Sequence, residues 1–355
     1  MTCDESSEVA DSTSNPFEAP LDEANSPDST IRQKESASKA EWSLAGIGHL
    51  YYLSSVRGEK TQQCSVVHSP LYTLLSGIPA VVALLQLSQL EASRKAMQVL
   101  EHLCLSLQHG SVVSQSARPF FLMLFQSSID HMVQCADEEL RKESWILFNR
   151  VLDLLGEQLR YQCLRYTTIK CPYPYVCGLL VTRLKDEILR VHRTVMADPS
   201  SSLSASPFLD WRQLQALLGQ LIMRSGRQLI TEADVLINVL NVYRFLLILD
   251  SRSHRIGVWQ PESRKNMEEH YFGRLRISLD QQVQRFTKQA DDPVSHAASL
   301  REFARHSVAT LPAIEELKER DLVASSHRNL STLFLIGDLL SRIDELVSSL
   351  PSPAS

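Results

Sequence analysis

Glycine is scarce, with 12 in 355 residues. An all-β chain needs a turn signal every ten or so residues, so this scarcity, together with long helical periodicity, argues against sandwiches and barrels. Long apolar runs are missing too. The longest, Ile78–Leu85 and Phe120–Phe125, fall well short of the roughly 20 residues a membrane-spanning helix requires. The acidic, polar N-terminus lacks the apolar centre of a secretory signal. The expected setting is the cytoplasm or the nucleus, with no membrane partner. The seven cysteines (Cys3, Cys64, Cys104, Cys135, Cys163, Cys171 and Cys177) include no CxxC pair, and an odd count in such a chain speaks against a disulfide framework. A zinc site from Cys163, Cys171 and Cys177 is conceivable, but its spacing is that of neither a finger nor a ribbon. Reduced thiols behaving as small hydrophobes are the favoured reading.

Catalytic signatures are equally thin. The eleven histidines are scattered, with no HExxH, and there is no GxSxG, GxGxxG or GxxxxGK[ST]. No nucleophile has an activating group beside it in sequence. The expectation is a protein without enzyme activity, cofactor or resident metal, whose work is binding.

What the chain does have is apolar content of 44% in helical spacing, and charge that is unevenly placed. Residues 1–39 hold nine acidic and three basic groups among many Ser and Pro, too polar to offset the entropy of ordering, and are expected to be a disordered acidic tail. The whole chain's net charge of −5 belongs to that tail, because the remainder has 33 basic against 32 acidic residues. A near-neutral body gives no broad electrostatic reason to bind nucleic acid.

The stretch from Leu229 to Trp259 organises the rest. Thr231 and Asp234 form an N-terminal capping pattern, after which Val235, Leu236, Val239, Leu240, Val242, Tyr243, Leu246 and Leu247 cover more than one narrow face. Such a helix is buried on two sides and so needs helices on both, as in a stack of helix pairs. Around it, helices are expected from Ala40, from Pro70 behind a Ser69 cap with a kink or break at Pro79, over Gln89–Leu107, over Pro119–Gln134, and from Asp137 to Leu155. Others follow at Glu157–Thr168, Tyr173–Val195 and Trp211–Met223, then a charged helix over Glu262–Lys288 and a last one over Leu330–Leu350. Pro70 to Pro119 is a step of about 49 residues, longer than a typical HEAT or armadillo unit. The expected fold is all-α: a HEAT/armadillo-like helical-repeat solenoid over residues 40–350, behind the disordered acidic N-terminal tail and before a disordered C-terminus at 351–355.

Several stretches, in order, resemble the C-terminal half of the glomulin family, to which a plant protein of lateral root formation is related. They are Leu44–Tyr51, Ser69–Tyr72, Leu140–Lys142 with Ser144, Cys163, Lys185, Trp211–Leu218, Leu240–Leu247 with Asp250, Gly257–Trp259, and Leu339–Leu346. The likeness runs patchily over Glu41–Leu350. Most of the family's N-terminal helical half has no counterpart here and the acidic tail stands in its place, as expected of either a divergent short member or a partial sequence. The resemblance implies a HEAT-like inhibitor of cullin-RING ubiquitin ligases. Its C-terminal half grips the RING domain of the RING-box subunit and covers the surface where the ubiquitin-conjugating enzyme docks. An immunophilin is a second implied partner. A helical scaffold for an unrelated protein partner shows the same periodicity and stays open.

Six residues are candidates for partner contact. Arg244 lies in the most apolar helix and must pair, either with a partner or within the fold, Asp250 being one choice. Trp259 follows a glycine and suits either an interface anchor or packing over the helix end. Arg141 and Lys142 carry positive charge at a helix start, where the dipole disfavours it. Lys185, with Arg183 and Arg190, makes a basic helix side read as solvated. Arg342, with Asp344, belongs to the last helix.

Overall fold

Pro70 and the Ser69 side chain begin the first long helix, as Ser–Pro pairs are suited to do. The structure, a computed structural model, describes residues 44–57, 68–87, 89–198, 200, 202–292 and 319–349. Helix α1 spans Pro70–Leu85, and the Ser69 hydroxyl accepts from the Tyr72 N–H at 3.2 Å. Pro79 does not split it, because Leu74, Ile78, Val81, Val82 and Leu84 are buried and packing holds the weakened turn. Then come α2 (Leu90–Leu105), α3 (Arg118–Gln134), α4 (Glu138–Leu154), α5 (Glu157–Lys170) and α6 (Pro174–Ala197). The Asp137 carboxylate caps α4 through the N–H groups of Glu139 and Leu140. The remaining helices are α7 (Trp211–Ser225, capped by Asp210), α8 (Ala233–Ser253), α9 (Pro261–Met267), α10 (Gly273–Asp291) and α11 (Glu319–Ser349).

Short connections make consecutive helices pack as pairs, and successive pairs stack into two layers. One layer runs α1, α3, α5 and α7, which reaches the π turn between α9 and α10. In the other, α2 packs on α4, α6 on α8, and α8 on α11. Pairs begin at 70, 118, 157, 211 and 261, so the repeat is irregular, as expected without a shared motif. Residues 44–51 are helical and run into a π turn, Tyr52–Val56, that packs on α2. Among the described residues the sole β feature is a single bridge between Val112 and Leu155, and no helix is long and apolar enough to cross a membrane. The tails expected at 1–39 and 351–355 lie outside the described residues.

Helix α8 is buried on two sides, as its periodicity predicts. It packs on α6, α7 and α11, and its eight periodic apolar side chains are all buried. At roughly 1.5–3 kcal/mol of gross transfer energy each, these side chains make α8 one of the most heavily buried helices among the described residues. Its start differs from the expected cap. The backbone over 226–232 turns before the helix, so Thr231 Oγ1 donates to the Gln228 carbonyl while Glu232 takes the cap position, its side chain occupied by Arg224 and Ser225. The expected charged helix over Glu262–Lys288 is interrupted by the π turn Glu268–Phe272, and the last helix starts at Glu319, before its apolar stripe.

Candidate functional site

The six residues singled out from sequence fall on α4, α6, α8 and α11 and on the loop after α8, all belonging to one layer. Their side chains are not equally available. Arg141 is half-buried and donates from Nη1 to the carbonyls of Cys135 (2.8 Å) and Ala136 (3.1 Å), closing the end of α3. Its cationic start to α4 is thus explained within the fold. Trp259 is buried, and its indole N–H donates to the Leu247 carbonyl at 2.8 Å while Arg264 lies over its ring. It packs over the end of α8 and cannot anchor a partner. Lys142 is exposed and paired within its own turn with Glu138 (3.0 Å) and Glu139 (3.2 Å), which together raise its pKa. Arg342 pairs with Asp338 at 2.8 Å on the exposed side of α11. Lys185 is half-buried, one turn past Thr182, which bonds Asn238 of α8. Arg244 is half-buried, and its Nε finds no acceptor among the described residues.

Asp250 is not available to Arg244. Fully buried, its carboxylate accepts from the backbone N–H groups of Ile256 (2.9 Å), Gly257 (3.0 Å) and Val258 (3.0 Å). It folds the chain back over the helix end, with His254 and Gly257 in the left-handed region at φ 48° and 89°. Asp250, Gly257 and Trp259 therefore form a structural latch.

The basic side of α6 also differs from expectation. Arg160 of α5 and Glu187 of α6, each 1% exposed, pair at 3.1 Å. Arg183 and Arg190 lie on either side of Glu187 and reach Asp153 and Glu157 as well. Burial alone would raise the Glu187 pKa; Arg160, Arg183 and Arg190 outweigh it and hold the carboxyl below its ordinary value. Arg160 further donates to the carbonyls of Leu152, Asp153 and Leu155, so one guanidinium closes the end of α4. Sequence periodicity shows that a helix carries charge; it does not show that a neighbouring pair supplies the opposite charge.

A groove that sequence reasoning missed lies on the other layer. Gln162, Arg165, Tyr166, Ile169 and Lys170 stand three, four, seven and eight positions apart and share one face of α5. With Arg118 at the start of α3 and Gln220 of α7, they enclose a cavity of about 470 Å³. A second cavity of about 490 Å³, walled by Met223, Arg224, Arg227, Gln228, Glu232 and Tyr271, shares Gln220 with it. Gly219 makes the second wall possible, because a Cβ there would meet the Tyr271 ring at 2.4 Å. Arg224 is committed to Glu232 and to the Ile169 and Cys171 carbonyls. Among the described residues no carboxylate pairs with Arg118, Arg165, Lys170 or Arg227, and Arg118 Nε and Gln162 Oε1 are buried without a hydrogen-bond partner. An orphaned buried polar atom costs about 1–3 kcal/mol, which a ligand reaching it would offset. The helical spacing on α5 was the available signal.

No group of three or more His, Cys, Asp or Glu is placed to hold a metal among the described residues. Cys177 lies behind the groove with Arg224 Nη2 at 3.3 Å from its sulfur, yet burial dominates and pushes its pKa up to about 11. It is a packed thiol, not a nucleophile.

The family model described as "Uncharacterised protein family, YAP/Alf4/glomulin" matches residues 19–318. Human glomulin is 24% identical over 304 residues, which is 84% of this chain and 49% of that protein. Mouse glomulin is 23% identical over 308 residues, 85% and 50% of the two chains. The chain thus spans about half the length of the curated relatives it matches.

Proposed function

Because the chain belongs to the YAP/Alf4/glomulin family, we propose that it is a glomulin-like inhibitor of cullin-RING ubiquitin ligases. It binds the RING domain of the RING-box subunit and covers the surface where the ubiquitin-conjugating enzyme docks. No bond is made or broken and no cofactor is needed; inhibition is competition for a surface. The observation that carries this reading is the family match along residues 19–318. A two-layer helical stack suits the task, since each pair rests on its neighbours and the outer faces are free to meet a partner.

The contact surface is assigned to the layer of α4, α6, α8 and α11. Lys142, Lys185, Arg244 and Arg342 serve there, while Arg141 and Trp259 hold the scaffold. Arg244 is the most telling of them, because its orphaned Nε sits on a half-buried guanidinium that a partner carboxylate would satisfy. An immunophilin is a second proposed partner, and the cytoplasm, with access to the nucleus, is the proposed location. The test is competition. With a RING-box subunit bound to its cullin, rising amounts of this chain should displace a labelled ubiquitin-conjugating enzyme in proportion to the complex formed. Binding that leaves the conjugating enzyme in place would reject the mechanism while keeping the partner.

A further inference from the structure

Among the described residues the cationic groove between α3, α5 and α7 lacks a partner of the opposite sign, and the sequence itself carries one. Residues 4–28 contain eight acidic and no basic residues, with Phe17 among them. We propose that this acidic segment docks in the groove, its carboxylates against Arg118, Arg165 and Lys170, and against Arg227 of the adjoining cavity, with its apolar residues against Tyr166.

Three observations support this occupant. The charges match in sign, and the groove's cations have no ion pair among the described residues, so a carboxylate arriving there does not have to displace one. Tyr166 is 43% exposed beside Arg165 and offers a ring face to an apolar side chain. Two buried polar atoms of opposite character, the Arg118 Nε donor and the Gln162 Oε1 acceptor, face an unfilled need that a peptide backbone meets with one C=O and one N–H. Reach is sufficient as well. Gly48, near the start of the described chain, lies against Ala80 and Leu84 of α1. Helices α3 and α5 stand one and two spacings along that layer, about 10 and 20 Å away. The fifteen residues between Asp28 and Leu44 can extend about 50 Å. Docking within one chain also raises the effective concentration of the segment, so modest contacts suffice. The consequence is a self-occupied groove that an acidic segment of another protein has to win by competition.

The full chain tests this in three forms: native, tail-neutral (the eight acidic residues of 4–28 replaced by Asn or Gln), and tail-neutral with Arg165→Glu and Lys170→Glu. The probe is a fluorescein-labelled peptide of residues 1–30, followed by anisotropy. The probe should bind the tail-neutral chain about tenfold or more tightly than the native chain, lose about tenfold or more in the groove-reversed form, and weaken with added salt. Equal affinity for the native and tail-neutral chains, or undiminished binding to the groove-reversed form, would overturn the proposal. A second readout needs no groove variant: amine-reactive labelling of Lys170, read by mass spectrometry, should be slower in the native than in the tail-neutral chain, and equal rates reject the docking. Neither readout involves a ubiquitin ligase. Failure here leaves the proposed inhibition standing, and failure of RING binding leaves the groove assignment standing.

Discussion

Replacing Glu187 by glutamine removes one charge and leaves three guanidinium groups converging on a neutral amide. Arg160 bears the consequence because it is 1% exposed. It keeps its three carbonyl acceptors at the end of α4, but its nearest remaining carboxylate is Glu157 at 3.7 Å, itself shared with Arg190. Breaking a buried pair by removing one partner destabilises by about 3–5 kcal/mol, and the residual Glu157 contact sets the expectation for Glu187→Gln near the lower end of that range. Arg183 and Arg190 are partly exposed and can turn to water, so their loss adds little. Urea unfolding at pH 7 is the assay, with the slope checked because a repeat stack can melt in parts. Arg160→Met with Glu187→Leu should recover part of the loss, since replacing both charges by apolar groups is tolerated better than removing one. The pH dependence follows with a defined sign. Glu187 is held below its ordinary value of 4.5, so its stabilisation is complete above that pH and is lost as pH falls below it. Glu187→Gln should flatten that acid limb. A Glu187→Gln chain within about 0.5 kcal/mol of the native one would refute the reasoning and leave the cluster a bystander.

Asp250→Ala should strip two buried N–H groups and one half-buried N–H of their acceptor and cost about 3 kcal/mol or more, loosening the 254–259 loop first, as read by amide exchange at Ile256, Gly257 and Val258. His131 is buried with, among the described residues, only Ser144 as a side-chain partner, and desolvation holds its pKa below the usual 6.5. Stability attributable to it is complete above that pH and lost as pH falls through the lowered value, so the urea midpoint should drop on acidification and His131→Gln should lessen the drop. Lys185→Glu with Arg244→Glu should weaken RING-box binding about tenfold or more at unchanged fold, since a like charge opposed across an interface costs several kcal/mol. Arg141→Ala and Trp259→Phe should lower stability and leave that binding intact, a separation measurable by thermal melts beside affinity titrations.

Much of the fold was legible because it rests on local periodicity. The pattern in α8 required helices on two sides and has them, and Ser69 and Asp137 cap the helices they precede. What failed depends on neighbours distant in sequence. Thr231 looks like a cap, but the turn before α8 hands that position to Glu232, which Arg224 claims from seven residues upstream of Thr231. Arg183 and Arg190 look solvated until α5 brings Arg160 and Glu157 to the same carboxylate cluster. For Trp259 the sequence allows an anchor or packing over the helix end, and the latch made by Asp250, nine residues away, decides for packing. The groove was missed for a related reason: its lining comes from three helices, and only the α5 face shows in one stretch. Resemblance to a family followed a different route, since a match along most of the chain does not require knowing which residues pack and which are free.

Calorimetric titration of the full chain into the RING-box subunit from the same organism, followed by a cullin-RING ubiquitylation assay with the same preparations, tests the proposed function most directly. One-to-one binding with loss of ubiquitin transfer at matching concentrations is the expected result. No heat of binding and unaltered transfer would contradict it, leaving a helical stack whose family membership holds and whose partner must be sought elsewhere.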